Sequence, residues 1–153
     1  MKLIAIILLC FFGWFSGTPF KQIDATEQTT MGGRQESGKS VNYSIKFVVK
    51  HSSTKLEFND LWLGVDNVDI YLRKADGSFL LNNQFEKGDT VLVVAYKRYL
   101  PNKGGILELK KEHPDKSVPK EYEGSAILKY TLKGKTKYYI IPEFKKLSKV
   151  NMP

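Results

Sequence analysis

Apolar and polar residues alternate with a period of two along most of the chain after residue 42. The alternation is clear at residues 43–49, 56–58, 68–72 and 126–132. This period places successive side chains on opposite faces of an extended strand. Residues 90–99 are apolar on both faces, which predicts a strand in the centre of a sheet. No segment sustains the 3.6-residue period of a helix.

Turn sequences separate these segments, as at Ala75–Ser78, Lys87–Asp89 and Gly134–Lys135. Seven or eight short strands joined in this way predict an all-β fold. We expect an antiparallel β-sandwich of immunoglobulin-like size, with a small β-barrel as the alternative. The alternation slips after Asn59 and Asp60, which predicts a bulge or bend before Leu61.

The chain begins differently, with Lys2 followed by the apolar run Leu3–Phe15 and then by small residues. This order is typical of a secretory signal peptide, and the run is short for a membrane-spanning helix. We therefore predict a signal peptide over residues 1–25, cut after Gly17 or after Ala25. The expected location is the periplasm or the cell surface.

Cys10 is the only cysteine and lies inside this apolar run. Attachment of a lipid there is disfavoured because bulky residues precede it. A mature chain without cysteine has no disulfide and no thiol chemistry. Residues 26–42 are polar and show no period, so they are predicted to form a flexible linker before a single β domain over residues 43–153.

The formal net charge is +8, but only 3 of the 24 basic residues are arginine. Lysine is a hydrated point charge, whereas specific recognition of phosphates and bases favours arginine. The composition therefore predicts attraction to an anionic envelope component or to another protein, and no nucleic-acid partner.

Residues 33–40 match the phosphate-binding pattern G-x-x-x-x-G-K-[ST]. That loop requires a buried strand before it and a helix after it. Residues 28–31 do not resemble a buried strand, and residues 43–49 are predicted to be extended. We therefore expect no nucleotide, and we expect no other cofactor.

No local pattern predicts a catalytic or metal site. His51 and His113 have no spacing typical of zinc ligands, and Asp66–Asp69 does not match a calcium loop. Glu121 and Glu123 lie in a charged loop, where solvation explains them. A hydrolase whose site assembles only in the fold stays open as an alternative.

Two surfaces are candidates for binding. The first combines residues 97–99 with the long charged loop 110–123, because long loops in compact domains are often functional. Its candidate residues are Lys97, Arg98, Tyr99, Lys110, Lys111 and His113. The second is the lysine-rich C-terminal region after residue 126. There, protection of strand edges by lysine and a core built of aromatics is the favoured explanation.

Four stretches resemble small exported β-sandwich proteins of Gram-negative bacteria: Leu61–Gly64, Lys87–Thr90, Ala126–Tyr130 and Gly134–Tyr139. The resemblance implies an envelope location and a β fold. That group has no agreed activity, so no functional residue can be transferred from it. We expect a non-enzymatic binding or accessory module of the envelope; the alternatives are an exported hydrolase or a structural subunit of an envelope complex.

Overall fold

The computed structural model describes residues 17–153, which form two β-sheets packed face to face. Within this range there are eleven strands and no α-helix: β1 (Phe20–Met31), β2 (Lys39–Val49), β3 (Leu56–Leu63), β4 (Asp66–Val68), β5 (Ile70–Lys74), β6 (Thr90–Pro101), β7 (Leu107–Lys110), β8 (Ala126–Leu132), β9 (Lys135–Ile141), β10 (Lys145–Lys146) and β11 (Val150–Asn151). The all-β prediction is confirmed. The sheets do not close into a barrel, so the fold is consistent with a sandwich.

The larger sheet has seven strands in the order β10-β1-β2-β6-β5, with β11 also on β1 and β7 also on β6. The smaller sheet has four strands in the order β4-β3-β8-β9. Pairing is antiparallel, except that the short C-terminal strands run parallel to β1. There are more strands than predicted because β4, β10 and β11 have only two or three residues. Such strands are too short to show a period.

The prediction of a flexible linker over residues 26–42 is wrong, and so is a domain boundary at residue 43. Residues 20–31 form β1, and residues 39–42 begin β2, with which β1 pairs along almost its whole length. Hydrogen bonds between backbones hold this polar segment in the sheet, and threonine is a good strand former. Because few of its side chains are large and apolar, the period of two is not visible there.

The core lies between the sheets and contains a cluster of aromatic rings. Phe20 is at its centre, 4.5 Å from Phe47, 5.6 Å from Phe58 and 5.0 Å from Tyr130 between ring centroids. The predicted bulge is confirmed, because the β3–β8 register shifts between Phe58 and Asp60. It brings Leu61 and Leu63 to the core side.

Val68 and Ile70 were expected on one strand, but they belong to β4 and β5, which lie in different sheets. The chain crosses from one sheet to the other at Asp69. This crossing lies beside the candidate site described next.

Candidate functional site

A gap in strand pairing opens a groove beside β6. One edge of β6 pairs with β2 over residues 90–99. Along the other edge, β5 pairs with residues 91–95 and β7 with residues 98–101. Within residues 17–153, Tyr96 and Lys97 therefore have no partner strand on that side. The start of β5 and the end of β7 both leave the sheet at this point, and their chains form the walls of the groove.

The groove has a volume of about 260 Å³. It is lined by polar and aromatic side chains and by the beginning of the 110–123 loop. The lining residues are Ser40, Asp66, Asn67, Val68, Asp69, Tyr71, Tyr96, Lys97, Arg98, Leu109, Lys110, Lys111, Glu112, His113 and Pro114.

Five of the six candidate binding residues line this groove: Lys97, Arg98, Lys110, Lys111 and His113. Tyr99 does not, because it lies further along β6, where the Nζ of Lys39 is 5.3 Å from its ring centroid. The fold thus brings together residues from β6 and from the long loop, as the sequence suggested. Their role in binding stays a prediction.

Lys97 connects the two sheets at the base of the groove. Its Nζ donates to Asp66 Oδ2 at 2.7 Å and to the carbonyl oxygen of Leu63 at 3.2 Å. Only 12% of the Lys97 side chain is exposed. The hydrogen bond from Lys97 holds the pKa of the Asp66 carboxyl below its ordinary value, with smaller support from the charge of Lys111. This pair is therefore a structural contact, and it engages two of the three donor hydrogens of the Lys97 ammonium.

Lys111 is occupied in the same way. Its Nζ lies 3.6 Å from Asp66 Oδ1 and also donates to Asp115. The Asp115 hydrogen bond is the main cause of a raised pKa at the Lys111 ammonium. Lys111 thus fixes the start of the 110–123 loop against β4.

Arg98 and Lys110 differ from these two lysines. They are directly opposite each other in the β6–β7 pairing, and both are exposed. Neither forms an ion pair with a carboxylate anywhere in residues 17–153. Like charges in opposite positions of two strands repel each other. Ser40 of β2 is the neighbour of Arg98 on its other side. Two cations and the Ser40 hydroxyl, which donates to Asn42 Oδ1, therefore follow one another across three adjacent strands.

Two tyrosines that were not among the predicted binding residues lie at the other end of the groove. Tyr71 and Tyr96 are 43% and 39% exposed, and their ring centroids are 5.8 Å apart. The guanidinium of Arg73 donates to Tyr96 Oη at 3.1 Å and lies 4.4 Å from the ring centroid of Phe79. The alternation of residues in each strand indicated that both tyrosines point outward. It did not reveal the register between β5 and β6 that places the two rings side by side.

The histidines offer little for catalysis. His113 Nε2 is 3.5 Å from Asp69 Oδ2, and their side chains are 72% and 52% exposed. His51 lies at the opposite end of the fold, where slight burial and then the charges of Lys133 and Lys55 lower its pKa. In the described part of the chain no group of three His, Cys, Asp or Glu side chains is arranged to hold a metal ion.

The segment that matches the phosphate-binding pattern lies in the connection between β1 and β2. It contains a single 3₁₀ turn at Gln35–Ser37, and Lys39 and Ser40 already belong to β2. β1 precedes it, where a flexible linker was predicted, but residues 28–31 of β1 are only partly buried, so this segment does not follow a buried strand, as expected. The element that follows is a strand, as expected, and not the helix that this motif requires.

The C-terminal lysines accompany strand edges. Lys145 and Lys146 form β10 on the outer edge of β1. The aromatic residues of this region turn inward: Tyr130 is buried beside Phe20, and Phe144 packs on Tyr43 at 5.2 Å between ring centroids.

The long loop is fixed to the smaller sheet through Trp62. The indole Nε1 donates to the Lys116 carbonyl oxygen at 3.0 Å, and the Lys116 Nζ donates to Asp60 Oδ1 at 2.6 Å. Tyr122 Oη donates to the Gly64 carbonyl oxygen at 2.7 Å. These hydrogen bonds therefore hold in place the loop that forms one wall of the groove.

Comparison with protein-family models, with curated proteins and with solved structures finds no match to this chain. Within residues 17–153 no helix is long and apolar enough to cross a membrane. The proposed function below therefore depends on the geometry of the groove.

Proposed function

We propose that the protein is an exported, non-enzymatic binding module that holds an anionic ligand in the groove beside β6. The observation that supports this most is the pair Arg98 and Lys110. Two cations in opposite positions, without a carboxylate partner in the described residues, carry a repulsion that a bound anion would relieve. The Ser40 hydroxyl lies beside them and would donate to the anion by turning away from Asn42 Oδ1, its acceptor at 3.4 Å.

The charge of the rest of the lining is nearly balanced. Asp66 neutralises Lys97, and Asp69 lies beside His113. Glu112 also lines the groove and forms no ion pair in the described residues. The site therefore favours a small anionic group in one place, and Glu112 should weaken its binding.

A titration of the purified protein with inorganic phosphate and with citrate tests this function. We expect weak binding, in roughly the millimolar range. Arg98→Gln together with Lys110→Gln should reduce the affinity at least ~10-fold, since each removes a charge-assisted hydrogen bond. Glu112→Gln should increase the affinity, because it removes a nearby negative charge.

The matched control is Lys50→Gln with Lys87→Gln, which removes the same charge from exposed positions outside the groove. Equal losses in the control and in the groove variant would mean that only the net charge matters. That result, or no binding of either anion, would contradict the proposed function.

The proposal of export depends on the apolar run near the start of the chain. The contacts of β1 bear on which of the two predicted cleavage positions, after Gly17 or after Ala25, is used. Phe20 is 1% exposed and contacts the aromatic core, and Ala25 is also buried. A cut after Ala25 would remove Phe20 and half of β1, so we favour the cut after Gly17. Intact-mass analysis of the exported protein should give a chain that begins at Thr18, and a start at Thr26 would contradict this assignment.

A hydrolase is the second candidate, supported by the contact between His113 and Asp69 in the groove. Both side chains are largely exposed, so the site lacks the exclusion of water that usually strengthens acid–base chemistry. Ser40 Oγ donates to the amide oxygen Asn42 Oδ1 at 3.4 Å, and among the described residues no base forms a hydrogen bond with it. Turnover of ester or glycoside substrates that disappears in His113→Asn would favour the hydrolase over the binding module.

A further inference from the structure

The outer face of the larger sheet continues from the anion site to the pair Tyr71 and Tyr96. Ala95 and Leu72 are buried in the core, so their neighbours Tyr96 and Tyr71 point away from it. Arg98 follows Tyr96 by two residues and lies on the same face, about 7 Å further along the strand. An aromatic surface and a cationic site are therefore adjacent and open to the same groove.

The Tyr96 ring is held in position before any ligand arrives. Arg73 donates to its Oη, and the same guanidinium donates to the Gly77 carbonyl oxygen at 3.1 Å. The ring of Phe79 covers Arg73. These contacts restrain the Tyr96 ring, while Tyr71 and Tyr96 both keep part of their surface exposed.

Amide and hydroxyl groups flank the tyrosines on the next strands. Asn42 is opposite Tyr96 in the β2–β6 pairing, and its Nδ2 donates to Thr30 Oγ1 at 3.3 Å. Ser40 Oγ donates in turn to Asn42. Few polar groups beside exposed aromatic rings are typical of sites for ligands that have both apolar faces and hydroxyl groups.

We infer that the ligand is an acidic oligosaccharide. A sugar ring would lie with its C–H face on Tyr71 and Tyr96, while the carboxylate of the adjoining sugar would bind Arg98 and Lys110. This inference rests on the proposed anion site and names the class of its ligand. The tyrosine rings are inclined at 47° to each other, so they cannot both stack flat on one planar base.

The test compares tetragalacturonate, its methyl ester and inorganic phosphate in calorimetric titrations of the purified protein. We expect tetragalacturonate to bind at least ~10-fold more tightly than phosphate, because two groups of contacts act together. The methyl ester should bind more weakly than the free acid. Tyr71→Ser and Tyr96→Ser should each reduce the affinity for tetragalacturonate roughly 3- to 10-fold and leave the affinity for phosphate unchanged.

Two control variants distinguish a loss of binding from an effect on folding. Tyr71→Phe keeps the ring and should retain the affinity for tetragalacturonate. Leu81→Ser removes an exposed apolar side chain that is outside the groove, and it should change nothing. Each variant is first compared with the parent by circular dichroism and thermal unfolding, and a variant that unfolds is replaced by the alanine at the same position.

The two proposals fail in different ways. If phosphate binds and depends on Arg98, but tetragalacturonate binds no better and the tyrosine variants have no effect, the saccharide inference is wrong and the anion site stands. If neither phosphate nor tetragalacturonate binds, both are wrong. Tyrosine-dependent binding of oligothymidylate that is tighter than that of tetragalacturonate would also overturn the saccharide inference.

Discussion

Phe20, near the start of the described chain, is a central residue of the core between the two sheets. Its ring touches aromatic residues of both sheets, including Phe47 of β2 and Tyr130 of β8. A domain without disulfide bonds depends on such packing for its stability. The first strand is therefore an integral part of the core.

Phe20→Ala should lower the free energy of unfolding by about 3–5 kcal/mol, because it removes a large buried ring and leaves a cavity. Ile23→Ala, on the same strand but 51% exposed, should change it by about 0.5 kcal/mol or less. Urea unfolding of both variants measures the difference. Equal effects would mean that β1 is not packed as described.

Asp66 gives a prediction about pH. Its pKa is lowered by Lys97 in the folded protein, so the ionised form stabilises the fold. This contribution is present above the ordinary pKa of about 4 and is lost as the pH falls through the folded-state pKa. Asp66→Asn should therefore reduce stability at pH 7 by about 1–3 kcal/mol, with a smaller difference from the parent at pH 3.

Asp69→Asn is the control, because within residues 17–153 its exposed carboxylate has only His113 as an ion-pair partner. Its effect at pH 7 should be about 0.5 kcal/mol or less. A difference between Asp66→Asn and the parent that is the same at pH 7 and pH 3 would exclude the Lys97–Asp66 link as a source of stability.

At the scale of elements, β6 organises the site because two different strands pair with one of its edges. Among the described residues, β5 and β7 leave Tyr96 and Lys97 between them without a partner strand on that edge. The 110–123 loop then closes the groove, held by Trp62 and Tyr122. The groove is thus a consequence of strand lengths and register.

Trp62 provides a test of how the loop is held. Trp62→Phe keeps an aromatic ring but loses the hydrogen bond to Lys116, and should lower stability by about 1 kcal/mol. Trypsin should cleave the lysine-rich loop faster in this variant, because the loop detaches more often. Thr131→Val, which removes a hydrogen bond to Asn59 at the far end of β8, should not alter loop cleavage. Equal cleavage in the parent and Trp62→Phe would contradict the anchoring.

The sequence predicted the strands whose apolar residues alternate, and it failed where pairing depends on backbone hydrogen bonds. The period of two and the turn at Gly134 identified the β8–β9 hairpin. The polar strand β1 left no such period. Five groove residues could be predicted from the sequence because they lie near the end of β6 or in the segment that begins at Lys110. Tyr71 could not, because only the register between β5 and β6 brings it to the groove. Register between distant strands cannot be read from local pattern.

At the scale of the whole molecule, the net charge of +8 is a poor guide to the site. Many lysines accompany strand edges, where they oppose pairing with other chains. In the groove most charges are already paired. What distinguishes the groove is the position of Arg98 and Lys110 beside exposed aromatic rings, and this depends on the complete sheet.

The most direct measurement is the mapping of backbone amide chemical shifts in the ¹⁵N-labelled protein during a titration with phosphate. The account predicts saturable shifts at residues 96–98 and 110–113, which vanish in the Arg98→Gln, Lys110→Gln variant. Shifts that concentrate on the C-terminal lysines 135–149, or that spread evenly over all lysine-rich surfaces, would contradict a groove built to bind an anion.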